Sequence, residues 1–227
     1  MRMIYAHRWS IALTLVVAGF LAFSLPPYFT ADPGRSRVPA TFPLHYPVLV
    51  GHVMLASIAM VAVVIQCWPG LRARRPGWHR RVGRVYVATA LPAAGCAMVI
   101  GVATPFGPIL AVSNIVLAAL WLWFTANGYL AGRRRHVGAH RRSMIFSATL
   151  ALSVIANRIW SPVLYLSLQP LQDSLFGGNE QHYLWMVAGL SGWMGWALPL
   201  FTVWWWQRRR MEMATPTISQ LGHTSRV

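Results

Sequence analysis

Two histidines, His79 and His140, stand in the same short pattern, Gly-x-His-Arg-Arg, 61 positions apart. An imidazole offers a neutral nitrogen to a metal, and two imidazoles facing each other across a helical bundle can supply both axial ligands of a haem iron. The adjoining Arg80 and Arg141 would then suit the haem propionates, because a guanidinium fork matches a carboxylate. Haem b is the cofactor such a pair would take. Covalent haem attachment is not expected, since neither Cys67 nor Cys96 lies in a Cys-x-x-Cys-His pattern. A simpler role is open to the same residues, which could contact lipid phosphates at a membrane surface.

A second group consists of His52, Asn114 and Arg158, polar residues embedded in long apolar runs. Polar and charged side chains at membrane depth are costly, which makes them candidates for function. Together they would form an outer pocket able to take an anionic or carbonyl-bearing group. Arg158 could instead extend its long side chain to the nearer membrane surface. His45 is expected in a loop ahead of Pro47, and His182 could join the outer site. No metal site is expected, because no HxxEH and no Cys/His set with conventional ligand spacing occurs. Gly-rich phosphate loops, nucleophile elbows and paired carboxylates are missing as well, which removes the soluble-enzyme templates that depend on them.

These residues are positioned by six apolar runs, at about 10–27, 47–68, 83–104, 108–130, 143–165 and 184–206, each long enough to cross about 30 Å of hydrocarbon as a helix. Of the 227 residues 56% are hydrophobic and only 11% charged, which describes a multi-pass membrane protein. Every one of the 20 basic residues is arginine, and 16 of them fall in four segments, MRMIYAHR, RARRPGWHRRVGR, AGRRRHVGAHRR and QRRRMEM. These alternate with segments holding Asp32, Asp173 and Glu180. By the positive-inside rule both termini are cytoplasmic, and the net charge of +16 reflects orientation in the membrane, with no nucleic-acid partner implied. The first run is expected to be a retained signal anchor, because Pro26-Pro27 follows Ala22-Phe23-Ser24 too closely for comfortable cleavage. Trp78, Tyr86, Trp121, Trp123, Trp185 and Trp204 to Trp206 lie near run ends and are expected in the interfacial belt.

An ungapped offset of 61 makes six of ten positions identical between RARRPGWHRR and RRRHVGAHRR, superposes span two on span four and span three on span five, and sets Gln66 against Asn127. The expected architecture is therefore an all-α integral membrane domain of six transmembrane helices. Its core, residues 45–165, is four helices from a duplicated helical hairpin, with the basic segments as cytoplasmic turns. Spans one and six would be peripheral, and 207–227 a disordered cytoplasmic tail. Turn sequences made alike by selection for arginine would explain much of the match, but less readily the shared glycine and histidine.

The runs GHVMLASIAMVAVVIQ, HRRVGRVY and HRRSMIFSATLALSVIANR, in this order and spacing, resemble the bacterial membrane family known as domain of unknown function 2306. The resemblance covers roughly residues 45 to 165. By it, His52, Gln66, His79, Arg80, Gly83, Arg84, Tyr86, His140, Arg141, Met144, Ser147 and Arg158 match recurrent positions. Ser143 stands where the family pattern has a tryptophan or similar residue. A helical membrane bundle is implied, and no activity comes with it.

Three functions stay open for a chain expected in the bacterial inner membrane, with the bilayer and anionic lipid at the cytoplasmic arginines as partners. One is a haem-binding redox protein that exchanges electrons with quinone through His79 and His140. Another is a binding or transport protein for a lipid or small apolar ligand, using His52, Asn114 and Arg158. The third is a structural membrane subunit without a site of its own.

Overall fold

The structure is a computed structural model that describes residues 2–30 and 32–214. Six long helices account for most of it: α1 Arg2–Ser24, α2 His45–Gln66, α3 Pro76–Val102, α4 Pro108–Arg133, α5 Val137–Leu168 and α6 Glu180–Ala214. Each is long and apolar enough to cross a membrane, and no strand occurs among the described residues. Helices are the form expected in lipid, where no water is present to satisfy a backbone amide.

Helices α2 to α5 follow one another round a ring, each packed closely on the next, whereas α5 returns to α2 only loosely and α3 stands diagonally opposite α5. Span six is not peripheral, contrary to its expected place: α6 lies along α5 and also packs on α4. Its Trp196 joins Tyr86, Trp121 and Leu150 in the main core. Glycine makes this possible. A Cβ on Gly192 would come within 2.5 Å of Leu110, and one on Gly195 within 2.8 Å of Asn157. Small residues are what let helix backbones approach when lipid is as apolar as the side chains. α1 is the outlying helix, lying over the loose α2–α5 seam with Val17 packed on Met60 and Val64 and contacts reaching Val154 and Ile155.

The repeated Gly-x-His-Arg-Arg does not form the turns. α3 begins at Pro76 and α5 at Val137, so each histidine is the fourth residue of its helix. Both starts obey the offset of 61, but the helices before them do not end in register. α2 stops at Gln66, a short helix Leu71–Arg74 follows, and Gly70 adopts φ +80°, whereas α4 runs on to Arg133. The cause is Pro69-Gly70, which ends α2 and has Leu130-Ala131 as its counterpart in α4.

Two further expectations are corrected. Tyr86 and Trp121 are not belt residues, being 2% and 5% exposed at the centre of the ring, whereas Trp78 and Trp123 are exposed. The tail does not begin at 207, because α6 continues to Ala214 and the rest of that segment, 215–227, lies outside the described residues. This last stretch is held by a ladder in which the Arg208, Arg209 and Arg210 guanidiniums lie 5.6, 3.8 and 4.2 Å from the rings of Trp204, Trp205 and Trp206. The spacing of four residues puts each arginine one turn beyond its indole, where cation and ring attract.

Candidate functional site

The loose α2–α5 seam leaves a cavity of about 260 Å³ at the end of the bundle opposite the arginine-rich turns, with α1 as its outer wall. Its walls are mostly apolar, with Met60, Leu150 and Trp196 among them. His52 from α2, Asn114 from α4 and Arg158 from α5 all line it. Asn157 lines it too, so that two neighbouring residues of one helix flank the same space. Adjacent helical residues diverge by about 100°, so the sequence alone gives no reason to place Asn157 beside Arg158. The cavity is wide enough to be reached from both directions.

Each polar group is held by its backbone neighbourhood and leaves hydrogen-bonding capacity unused. His52 Nδ1 lies 2.8 Å from the Ala93 carbonyl of α3. A carbonyl can only accept, so Nδ1 carries the proton and Nε2 is left for another partner. Asn114 is seated on Gly101, whose Cβ would lie 2.9 Å from the Asn114 Cβ, and Asn157 sits in the same way on Gly195. Neither amide makes a side-chain hydrogen bond among the described residues. The Arg158 guanidinium likewise has no hydrogen bond or ion pair there, and no Asp or Glu lines the cavity. Arg37, at the rim, is already engaged: its Nη2 donates to the Phe23 carbonyl at 2.7 Å and its guanidinium lies 4.1 Å from the Phe23 ring. Tyr28 and Arg37 come from the segment after α1 and had no signal in the sequence as cavity residues, because only the fold-back of that segment brings them there.

Trp121 closes the bottom. Its Nε1–H donates to Tyr86 Oη at 3.2 Å, which lies 2.5 Å from Ser147 Oγ, itself 2.6 Å from Thr125 Oγ1. Thr125 Oγ1 in turn donates to the Trp121 carbonyl at 2.6 Å. Tyr86 and Ser147 are 61 residues apart, on the diagonal helices α3 and α5.

His79 and His140 are half-buried at equivalent helix positions, and their neighbours Arg80 and Arg141 are exposed. His140 Nδ1 lies 2.7 Å from the Gly128 carbonyl of α4, while the His79 carbonyl accepts from Gln66 Nε2 at 2.7 Å. Each therefore ties the start of a helix to the end of the one before it. The expected Gln66–Asn127 equivalence does not extend to bonding, since Asn127 donates to Trp123 of its own helix. A shallower hollow of about 310 Å³ at this end is lined by Trp123, Asn127 and His136, and neither His79 nor His140 borders it or the cavity beside His52. His45 opens α2, buried and 2.8 Å from Thr41 Oγ1, where a loop was expected. His182 meets the Trp185 ring at a tilt, with centroids 5.7 Å apart, away from the cavity. No cluster of three or more His, Cys, Asp or Glu suited to a metal occurs among the described residues.

Compared with known proteins, residues 49–176 match the model of a family described as predicted membrane protein (DUF2306). The match spans α2 to α5 and leaves out α1 and α6. No curated protein and no solved structure matches the chain.

Proposed function

The chain belongs to the domain of unknown function 2306 family of predicted membrane proteins, and from that premise we propose that it is a binding or carrier protein for a small amphiphile in the bacterial inner membrane. The observation that carries this reading is the convergence of unpartnered polar groups, His52 Nε2, Asn114 and Arg158, from three helices on one mainly apolar cavity. An apolar space with a few convergent polar groups is the usual form of a small-molecule site. With the arginine-rich turns on the cytoplasmic side, the cavity faces the external leaflet. The occupant's polar head then sits at the level of Arg158, with its chain directed down towards Trp121.

The test is thermal unfolding of the detergent-purified protein with decanol, a neutral single-chain probe. Occupancy at about a hundred times Kd stabilises by about 2.7 kcal/mol, which for a chain of this length is a rise of roughly 5 °C or more. Ala56→Phe, which fills the cavity from α2, is expected to abolish the rise, and Arg142→Leu, remote from it, to leave it intact. A rise that survives in Ala56→Phe, or no rise in the parent protein, would count against the cavity as the binding site.

A further inference from the structure

We infer that the occupant of the cavity is a single-chain carboxylate whose head pairs with Arg158. The inference rests on the reading of the cavity given above and goes further in fixing charge, head group and chain number.

Charge comes first. A guanidinium at membrane depth is costly unless a counter-charge or a set of acceptors meets it. Among the described residues none is supplied: Asp32 lies 3.7 Å from Arg35, Glu212 pairs with Arg208 at 3.1 Å, and no acid borders the cavity. The neighbouring Arg37 adds positive charge at the rim. A neutral or cationic occupant would leave Arg158 as it is, whereas an anion completes it. The head group follows from the number of free donors. Because Arg37 already donates to the Phe23 carbonyl, Arg158 is the one guanidinium of the cavity lining with no hydrogen bond among the described residues. One fork matches the two oxygens and single charge of a carboxylate, with the Asn114 and Asn157 amides placed to donate to the remaining lone pairs. A phosphate monoester carries about −1.5 to −2 and would need a second guanidinium brought onto it, whereas Arg37 is held at the rim against the Phe23 carbonyl and ring.

Chain number follows from size. A cavity of 150 Å³ holds benzene, so 260 Å³ encloses on the order of ten heavy atoms by the same scale. One short chain with its head fits, and two acyl chains do not. Any longer chain would have to leave between α1 and the α2–α5 seam, where the wall is one loosely packed helix.

The experiment titrates decanoate, decanol, decyl phosphate and decyltrimethylammonium against the full chain at pH 8, with thermal unfolding and calorimetry as readouts. Decanoate is expected to bind about tenfold or more tighter than decanol, as a charge-assisted hydrogen bond allows, and decyltrimethylammonium weakest. Arg158→Leu is expected to bring decanoate down to the decanol level, so that the two probes no longer differ. Arg158→Met serves the same purpose should the leucine variant fail to fold. Decanol binding as tightly as decanoate would overturn the carboxylate inference and leave the amphiphile reading standing. Binding of none of the four would overturn both. Decyl phosphate binding tighter than decanoate would replace carboxylate by phosphate as the head group, and an unchanged decanoate preference in both Arg158 variants would remove Arg158 from the site.

Discussion

Gly195→Ala is expected to destabilise the protein by about 2 kcal/mol, a fall of roughly 5 °C in the thermal midpoint, whereas Gly95→Ala is expected to be neutral or mildly stabilising. Both glycines lie inside long helices, where replacing glycine by alanine normally helps by restricting the unfolded chain. What differs is the space. An added Cβ at Gly95 meets nothing within 4 Å, while at Gly195 it meets Asn157 Cβ at 2.8 Å, Cα at 3.0 Å and the backbone nitrogen at 3.1 Å. Backbone cannot swing aside as a side chain can, so α6 must move off α5. The shift would be felt next door, where Trp196 Nε1 donates to Ser113 Oγ at 3.0 Å in the core. It would also displace Asn157 from the cavity wall, so the response to decanoate should weaken along with stability. Equal midpoints for the two variants would mean that α6 is held only loosely against α5.

Some of this was legible in the sequence and some was not, for identifiable reasons. The six helices follow from run length, and His52, Asn114 and Arg158 stand out because each interrupts an apolar run. Their shared level follows from counting residues along helices of fixed rise. Direction round the helix axis is what hydropathy does not give. Tyr86 and Trp121 look like belt residues when judged by distance from a run end, and only packing shows that they point inward. Asn157 gave no signal because the width of a cavity between helices is not written in their hydropathy. Tyr28 and Arg37 were hidden because they reach the cavity by long-range fold-back. The place of α6 is not written in the offset of 61, which relates only spans two to five, and the glycines that seat α6, Gly189, Gly192 and Gly195, carry no sign in the sequence of what they face.

Several residues carrying the family resemblance turn out to join adjacent helices. Gln66 reaches the His79 carbonyl, and Gly83 admits it, since a Cβ there would lie 3.0 Å from Gln66 Nε2. On the other side, His140 reaches the Gly128 carbonyl and Met144 packs on Gly128. Tyr86 and Ser147 meet at the centre. The motif residues of α3 and α5 thus hold the ring together, and of the recurrent positions His52 and Arg158 are the ones that border the cavity. Scaffold and site are separable by mutation for that reason.

The scaffold's strongest test is the central hydroxyl chain, because its direction can be deduced. The Trp121 carbonyl can only accept, so Thr125 must donate to it. Thr125 Oγ1 has then spent its proton and accepts from Ser147, and Ser147 for the same reason accepts from Tyr86. Tyr86 Oη is left to accept from the Trp121 indole, which can only donate. The chain runs from Trp121 round to Trp121, with every proton used and three helices joined. Tyr86→Phe removes two of its bonds and strands the indole N–H, a loss of about 2 kcal/mol for a buried unsatisfied donor. Ser147→Ala and Thr125→Val each remove two bonds as well. The pairs differ in what they share. Tyr86→Phe and Ser147→Ala have one bond in common, so the double variant should be less destabilised than the sum by about 1 kcal/mol, the scale of interhelical hydrogen bonds in membranes. Tyr86→Phe and Thr125→Val have none in common, and their effects should add. A coupling as large in the second pair as in the first, measured by denaturant or thermal unfolding, would show that the hydroxyls do not form this directed chain. A floor whose donors are all used offers none to an occupant of the cavity, so that Tyr86→Phe should loosen decanoate binding far less than Arg158→Leu while costing more stability.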